Sequence, residues 1–159
     1  MRIKELNNLG HRLLFVAIDA AGFGFLNWQL FWHPRRETGY WSWLGLVIFM
    51  SGLFFSAWAR LYLGRNWDTA GTGGIKHNHQ LITTGPYRIS RNPIYLGTLV
   101  LFLGFETTLG SFFVFLAVPL LSLIIWEAKR EEKLLEKHFG EKFEKYKSQV
   151  PFLFPRQTA

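Results

Sequence analysis

Two short segments carry residues able to do chemistry. In Arg91-Asn92-Pro93-Ile94-Tyr95 a guanidinium, an amide and a phenol surround a proline. Pro93 suits the first turn of a helix, where its missing N–H costs nothing. The free N–H groups of such a helix start can hold a carboxylate. The plainer alternative is a helix cap with Tyr and Arg at an interface. Gly85-Pro86-Tyr87, just before, marks a turn. Farther along, Arg130 precedes the pair Glu131-Glu132. These carboxylates can bind a cationic amine or the ribose hydroxyls of a cofactor, and Arg130 can bind a carboxylate; the alternative is a solvated helix face. His77 and His79 suggest a metal, yet no Cys and no matching His or Asp cluster completes a ligand set, so no metal is expected. The chain has no cysteine, which excludes disulfides and thiolate catalysis.

The elements that must position these groups are apolar. The chain has 159 residues, 49% hydrophobic and 18% aromatic, a length that suits one domain over 1–159. Its apolar residues are bunched. Leu13 to Trp32 is interrupted by Asp19, Asn27 and Gln29, Trp41 to Leu63 carries Arg60 as its one charge, and Ile94 to Phe105 and Phe112 to Trp126 are uncharged. A membrane span takes about 20 mostly apolar residues. The first two runs meet that, and the last two must borrow flanking residues. The reading is an all-α integral membrane bundle of about four transmembrane helices at 13–32, 41–63, 93–108 and 111–127. Thr107-Thr108-Leu109-Gly110 reads as the tight turn of a helical hairpin over 93–127, and 64–92 as a polar loop holding the flexible Gly71 to Gly74 segment. Met1 to Arg12 before an apolar run resembles a signal peptide, but the run is too long for one and no small-residue cleavage site ends it, so a retained span is expected.

The formal charge of +7 invites a nucleic-acid reading, which its distribution opposes. With the N-terminus inside, every Lys and Arg except Arg35 and Arg36 falls at or near the inner face. That is the positive-inside pattern. Nucleic acid would want one continuous basic soluble surface. Both termini and the polar motifs are therefore expected on the cytoplasmic side.

From Ala128 onward a charged helix is expected in the cytoplasmic region 128–159. Leu135, Phe139, Phe143, Tyr146 and Val150 recur at spacings of three and four, one apolar stripe. Such an amphipathic helix can lie on the inner membrane surface or cap a pocket. Gly140 is placed to interrupt it and Pro151 to end it. Asp19, an acid inside the first span, is read as facing the bundle, paired with Arg60 or Asn27 or near enough to the interface to stay wet.

Taken together the segments resemble the isoprenylcysteine carboxyl methyltransferase family, within the wider group of membrane phospholipid and isoprenoid methyltransferases. The resemblance rests on His79-Gln-Leu-Ile82, Gly85-Pro-Tyr87, Arg91-Asn-Pro-Ile-Tyr-Leu-Gly97, Glu131-Glu-Lys-Leu-Leu, Phe139-Gly-Glu-Lys-Phe143-Glu-Lys-Tyr146 and Val150-Pro151, over roughly residues 77–155. It implies S-adenosylmethionine as methyl donor and a membrane lipid or prenylated acceptor. It implies a donor pocket lined by His79, Gln80, Leu81, Ile82, Gly85, Tyr87, Arg91, Asn92, Pro93, Ile94, Tyr95, Glu131 and Glu132. Two positions depart from the family pattern: Asn92 stands where it has His, and Glu127 where it has Arg one turn before the Glu pair. Arg130 is the nearest replacement for that Arg as an acceptor ligand.

Methyl transfer from a sulfonium is an in-line displacement, so the protein chiefly positions the reactants. An ionised carboxylate acceptor needs no base. An amine or thiol must lose a proton, which Glu127 could take. Isoprenylcysteine carboxylate-type O-methylation is the leading expectation, with phospholipid amine N-methylation and small-thiol S-methylation as alternatives. An NADPH-dependent membrane reductase and a non-enzymatic membrane protein with a degenerate site are the readings from other classes.

Overall fold

The computed structural model of the chain describes residues 17, 20–22, 24–32, 39–64 and 80–154. The expectations for Asp19, His77, His79, Arg35, Arg36 and the Gly71 to Gly74 segment fall outside these residues. The described residues are helical and turn structure, with no strand. Residues 24–32 form helix α1. Then come α2 (Tyr40–Leu63), a 3-10 turn (Gly85–Arg88), α3 (Pro93–Leu109), a second 3-10 turn (Phe112–Leu116), α4 (Ala117–Phe139) and α5 (Glu141–Gln149).

Two helical stretches, Tyr40–Leu63 and Phe112–Phe139, are long and apolar enough to cross a membrane, and only 17% of the apolar window of each is buried. A core helix of a soluble protein would hide most of that window. Here Trp41, Trp43, Phe54, Leu61, Phe112 and Phe115 point outward. The third, α3, is 17 residues and about 25 Å long, short of the hydrocarbon thickness.

Small residues decide which helices pair. Gly45, Gly52 and Ala59 recur every seven residues on α2 and are buried there, as are Gly97 and Gly104 on α3. Gly45 lies against the backbone of Thr108, Gly52 against Leu101, Gly104 against Phe49 and Gly97 against Ser56, so the helices run antiparallel. A Cβ at any of these glycines would collide with the opposing helix. Such stripes let backbones approach closely where apolar burial alone gives no drive to associate. Ser56 Oγ also donates to the Ile94 carbonyl across the seam at 3.3 Å. The expected hairpin partner of α3 was α4; α3 instead packs chiefly on α2 and only lightly on α4.

Three boundaries differ from the sequence reading. Thr107 and Thr108 belong to α3, their hydroxyls satisfied by carbonyls one turn back. The turn is at Gly110, in the left-handed region at φ 60°, where its N–H caps the carbonyls of Glu106 and Thr107. The fourth apolar run starts as a 3-10 turn capped by Ser111 Oγ, which accepts from the Phe113 N–H. No new helix begins at Ala128: α4 continues from Ala117 to Phe139 without a break.

Gly140, at φ 51°, does interrupt the helix and turns the chain into α5. The bend folds the apolar stripe on itself. Phe143, Tyr146 and Val150 form a buried cluster with Leu81, Leu135 and Phe139 packed around it. A second cluster, Leu99, Ile124 and Leu153, joins α3, α4 and the segment after α5. The polar loop and the C-terminal segment are thus both anchored at the N-terminal end of α3.

Candidate functional site

Two polar assemblies meet at that end. The first fastens the loop to the C-terminal segment. Arg91 forms a fork on Glu132, Nε to Oε1 at 2.8 Å and Nη2 to Oε2 at 3.3 Å. Its Nη1 donates to the carbonyls of Lys147 at 2.7 Å and Val150 at 3.2 Å, and its backbone N–H to Pro151 O at 3.0 Å. The guanidinium also lies over the Phe152 ring, 5.8 Å from its centroid. The Asn92 amide donates to Glu132 Oε1 at 3.2 Å and to Phe152 O at 2.9 Å. Ser90 Oγ accepts from the Asn92 N–H at 3.1 Å and donates to Phe152 O at 3.4 Å. Tyr146 closes the other side, its hydroxyl donating to Tyr87 O at 2.6 Å. Burial pushes the Tyr87 and Tyr146 hydroxyls up, so both stay protonated.

These bonds show why Asn92 is not a side-chain helix cap. It occupies the N-cap position of α3, with Pro93 at the first turn, but makes no side-chain cap bond. Its amide faces the C-terminal segment instead. Arg91, Asn92 and Glu132, expected along a donor pocket, have their polar groups taken up by these internal partners.

The second assembly is Tyr95, Glu127, Arg130 and Glu131. Glu127 is 2% exposed, and both its oxygens lie 3.2 Å from Arg130 Nη1. The Tyr95 hydroxyl lies beside the Glu131 carboxylate. Glu131 is half-buried, beyond the apolar part of α4 that ends at Trp126. Burial pushes its carboxyl up to about 7; the Tyr95 hydroxyl works against this, the neighbouring Glu127 charge adds to it and Arg130 opposes it. Tyr87 feels the Glu131 charge and that of Arg60 from α2. So the structure brings Tyr87, Tyr95, Glu127, Arg130 and Glu131 together, with Gly85 and Pro93 framing the same loop and Ile94 partly buried on α3. Gln80, Leu81 and Ile82 lead into it, and Leu81 also packs on the Phe143 cluster.

A third polar group, missed by the sequence reading, lies about 16 Å away toward the other end of α3. Glu106 is fully buried; Gln29 Nε2 donates to its Oε1 at 2.7 Å, and Ser111 Oγ donates to Gln29 Oε1 at 3.1 Å. Glu106 Oε2 has no hydrogen-bond partner among the described residues. The usable signal was Gln29 inside the first apolar run and Glu106 directly after the third.

Described residues that are all helix and turn, with membrane-length helices and this constellation beside them, define a class. The sequence pattern of the family described as phospholipid methyltransferase matches residues 40–142, from α2 through the start of α5. The chain belongs to that family, the group that includes the isoprenylcysteine carboxyl methyltransferases. Among similar proteins, "Protein-S-isoprenylcysteine O-methyltransferase" of Schizosaccharomyces pombe is 29% identical over 65% of this chain and 45% of its own length. "Probable protein-S-isoprenylcysteine O-methyltransferase" of Oryza sativa subsp. indica is 31% identical over 85% of this chain and 72% of its own. "Cobalt-zinc-cadmium resistance protein CzcN" of Cupriavidus metallidurans is 31% identical over 80% of this chain and 56% of its own. The chain spans about half the length of the first and third of these relatives.

Proposed function

We propose that the chain is a single-domain integral membrane methyltransferase that uses S-adenosylmethionine to methylate a lipid-like acceptor at the cytoplasmic face. The observation that carries this reading is the convergence of Tyr87 and Tyr95 from one segment with Glu127, Arg130 and Glu131 from another, beside helices that keep their aromatic faces exposed. The two relatives named as isoprenylcysteine O-methyltransferases support the reaction type.

The residues present fit the donor. Glu131 has the Tyr95 hydroxyl beside it and no ion pair among the described residues, which leaves carboxylate lone pairs for an ammonium or ribose hydroxyls. Gln80, Leu81, Ile82, Gly85, Tyr87, Ile94 and Tyr95 would line the pocket. Arg91, Asn92, Pro93 and Glu132 would shape it by holding the loop in place. The bound donor supplies a methyl group on a sulfonium. The chain's own part is to hold the acceptor in line with that group and keep water out, positioning being the larger share of catalysis in such a displacement.

Four spans with both termini inside complete the proposal, supported by the Lys and Arg bias. Cysteines introduced at Gly39 and Gly73 should label from outside and inside respectively; the reverse pattern contradicts the topology. The short third helix would leave the site near headgroup level, so the acceptor's reacting end arrives from the bilayer while the donor comes from water. Equilibrium binding to the purified full chain tests the activity class. S-adenosylmethionine and S-adenosylhomocysteine should bind and NADPH should not; NADPH binding alone would make the chain a reductase.

A further inference from the structure

The turn Gly85–Arg88 is gripped from two sides. After it, the Tyr146 hydroxyl of α5 holds the Tyr87 carbonyl. Before it stands Tyr62, in the last turn of α2, which belongs to none of the motifs that resemble the methyltransferase family. Two contacts tie Tyr62 to the turn. Its ring lies on Gly85, where a Cβ would stand 2.8 Å from Cζ, 2.9 Å from Cε2 and 3.0 Å from Cε1, well inside ordinary carbon–carbon contact. Gly85 also has φ 60°, a conformation open to glycine. The Tyr62 and Thr84 hydroxyls share a hydrogen bond at 3.0 Å. The Thr84 carbonyl in turn accepts the Tyr87 N–H at 3.2 Å, the bond that closes the turn. Pro86, between them, has no N–H to add a bond of its own. The place of Tyr87 therefore follows Thr84 and Gly85, and theirs follows Tyr62.

Tyr62 is itself placed by the helix pair. It lies three residues beyond Ala59, on the face of α2 where Gly45, Gly52, Ser56 and Ala59 are turned toward α3. Along that antiparallel seam Ser56 meets Ile94 and Gly97, near the start of α3; Tyr62, about 9 Å farther along α2, meets the loop instead. The glycine seam and the site are thus joined through one side chain. Tyr87 is what the turn brings to the site, within reach of the charges of Glu131 from α4 and Arg60 from α2. We propose that Tyr62 is a positioning residue for the donor site: through Thr84 and Gly85 it sets where the turn carrying Tyr87 stands against Glu131. The inference rests on the methyltransferase reading above and adds to its site a residue from α2. Tyr62 is 44% exposed, and a hydrogen bond so open to water contributes little to the stability of the whole chain. Its effect on the site can therefore be told apart from an effect on the fold.

The test uses the full chain in lipid nanodiscs with S-adenosylmethionine as the probe. Calorimetry reads donor affinity, and thermal unfolding of the same samples reads stability. Tyr62→Phe keeps the ring on Gly85 and removes the hydroxyl; Thr84→Val removes the other end of the same bond. Each should weaken donor binding about three- to tenfold with the unfolding midpoint unchanged. The double variant should bind no more weakly than either single one, because both remove one bond. Thr84→Ser, which keeps a hydroxyl, should restore wild-type affinity. Tyr62→Ala takes the ring as well and should weaken binding more than Tyr62→Phe does; should it fail to fold, the milder variants decide the matter. Wild-type affinity in both Tyr62→Phe and Thr84→Val overturns the inference and leaves the methyltransferase reading standing. So does a loss of binding that tracks a fall in the midpoint, or losses that multiply in the double variant. No donor binding by the wild type overturns both.

Discussion

Glu131 and Glu132 are neighbours on one helix, yet they sit in opposite circumstances. Glu132 receives a two-pronged guanidinium and an amide, and the same two donors run on to the carbonyls of Lys147, Val150 and Phe152. Glu131, one residue earlier, has a phenol, a nearby like charge and a pKa pushed up to about 7. The helix turns about 100° per residue, so adjacent side chains face different surroundings. The difference separates holding from acting. A buried charge met by fixed donors keeps a segment in place, and a half-buried charge short of a cation is available to a ligand.

Removing Glu132 should have the largest effect on that contrast. Glu132→Ala leaves Arg91 buried without its carboxylate and should cost about 3–5 kcal/mol of stability. Denaturant unfolding in a fixed detergent reads this; a loss below about 1 kcal/mol would mean the pair behaves as an exposed one. Asn92→Ala comes next. It strips a donor from Glu132 and leaves the Phe152 carbonyl with only the long Ser90 bond, so about 1–3 kcal/mol should be lost. The same unfolding curves check it, and an unchanged midpoint would remove Asn92 from the clamp.

Glu131→Gln should act in the opposite direction. The Glu131 carboxyl titrates near 4.5 when unfolded and near 7 when folded. Between those values the folded chain keeps a proton that the unfolded chain has lost, so this residue's contribution to stability falls as pH rises from 4.5 to 7 and the penalty is complete above 7. The Gln variant lacks the penalty and should gain roughly 1–2 kcal/mol over wild type at pH 8, with little difference at pH 4. Equal stability at both pH values would show that Glu131 is an ordinary solvated acid.

The contrast was only half readable from residue order. The glycine break at Gly140, the apolar stripe through Phe143, and the helix start at Pro93 depend on local chemistry, and they stand where the pattern put them. Apart from Glu132, the partners of Arg91 and Asn92 are backbone carbonyls, of Lys147 in α5 and of Val150, Pro151 and Phe152 after it, which carry no side-chain signature, so no motif could announce them. The pairing of α3 with α2 is written in glycines spaced by seven, a signal the sequence reading did not use; chain adjacency pointed to α4. Glu106 was overlooked because an apolar run was closed one residue before it. Its partner Gln29 lies far back in the chain, and only the fold brings the two together.

The most direct measurement is the affinity of S-adenosylmethionine for the full chain and for Glu131→Ala, by calorimetry at pH 8, where Glu131 is ionised. If Glu131 serves the ligand and Glu132 the fold, the wild type binds and the variant stays folded but binds more weakly by about 1.5–3 kcal/mol, the range for a hydrogen bond to a charged group. Undiminished binding by a folded Glu131→Ala would contradict the account and leave Glu131 as part of a solvated helix face.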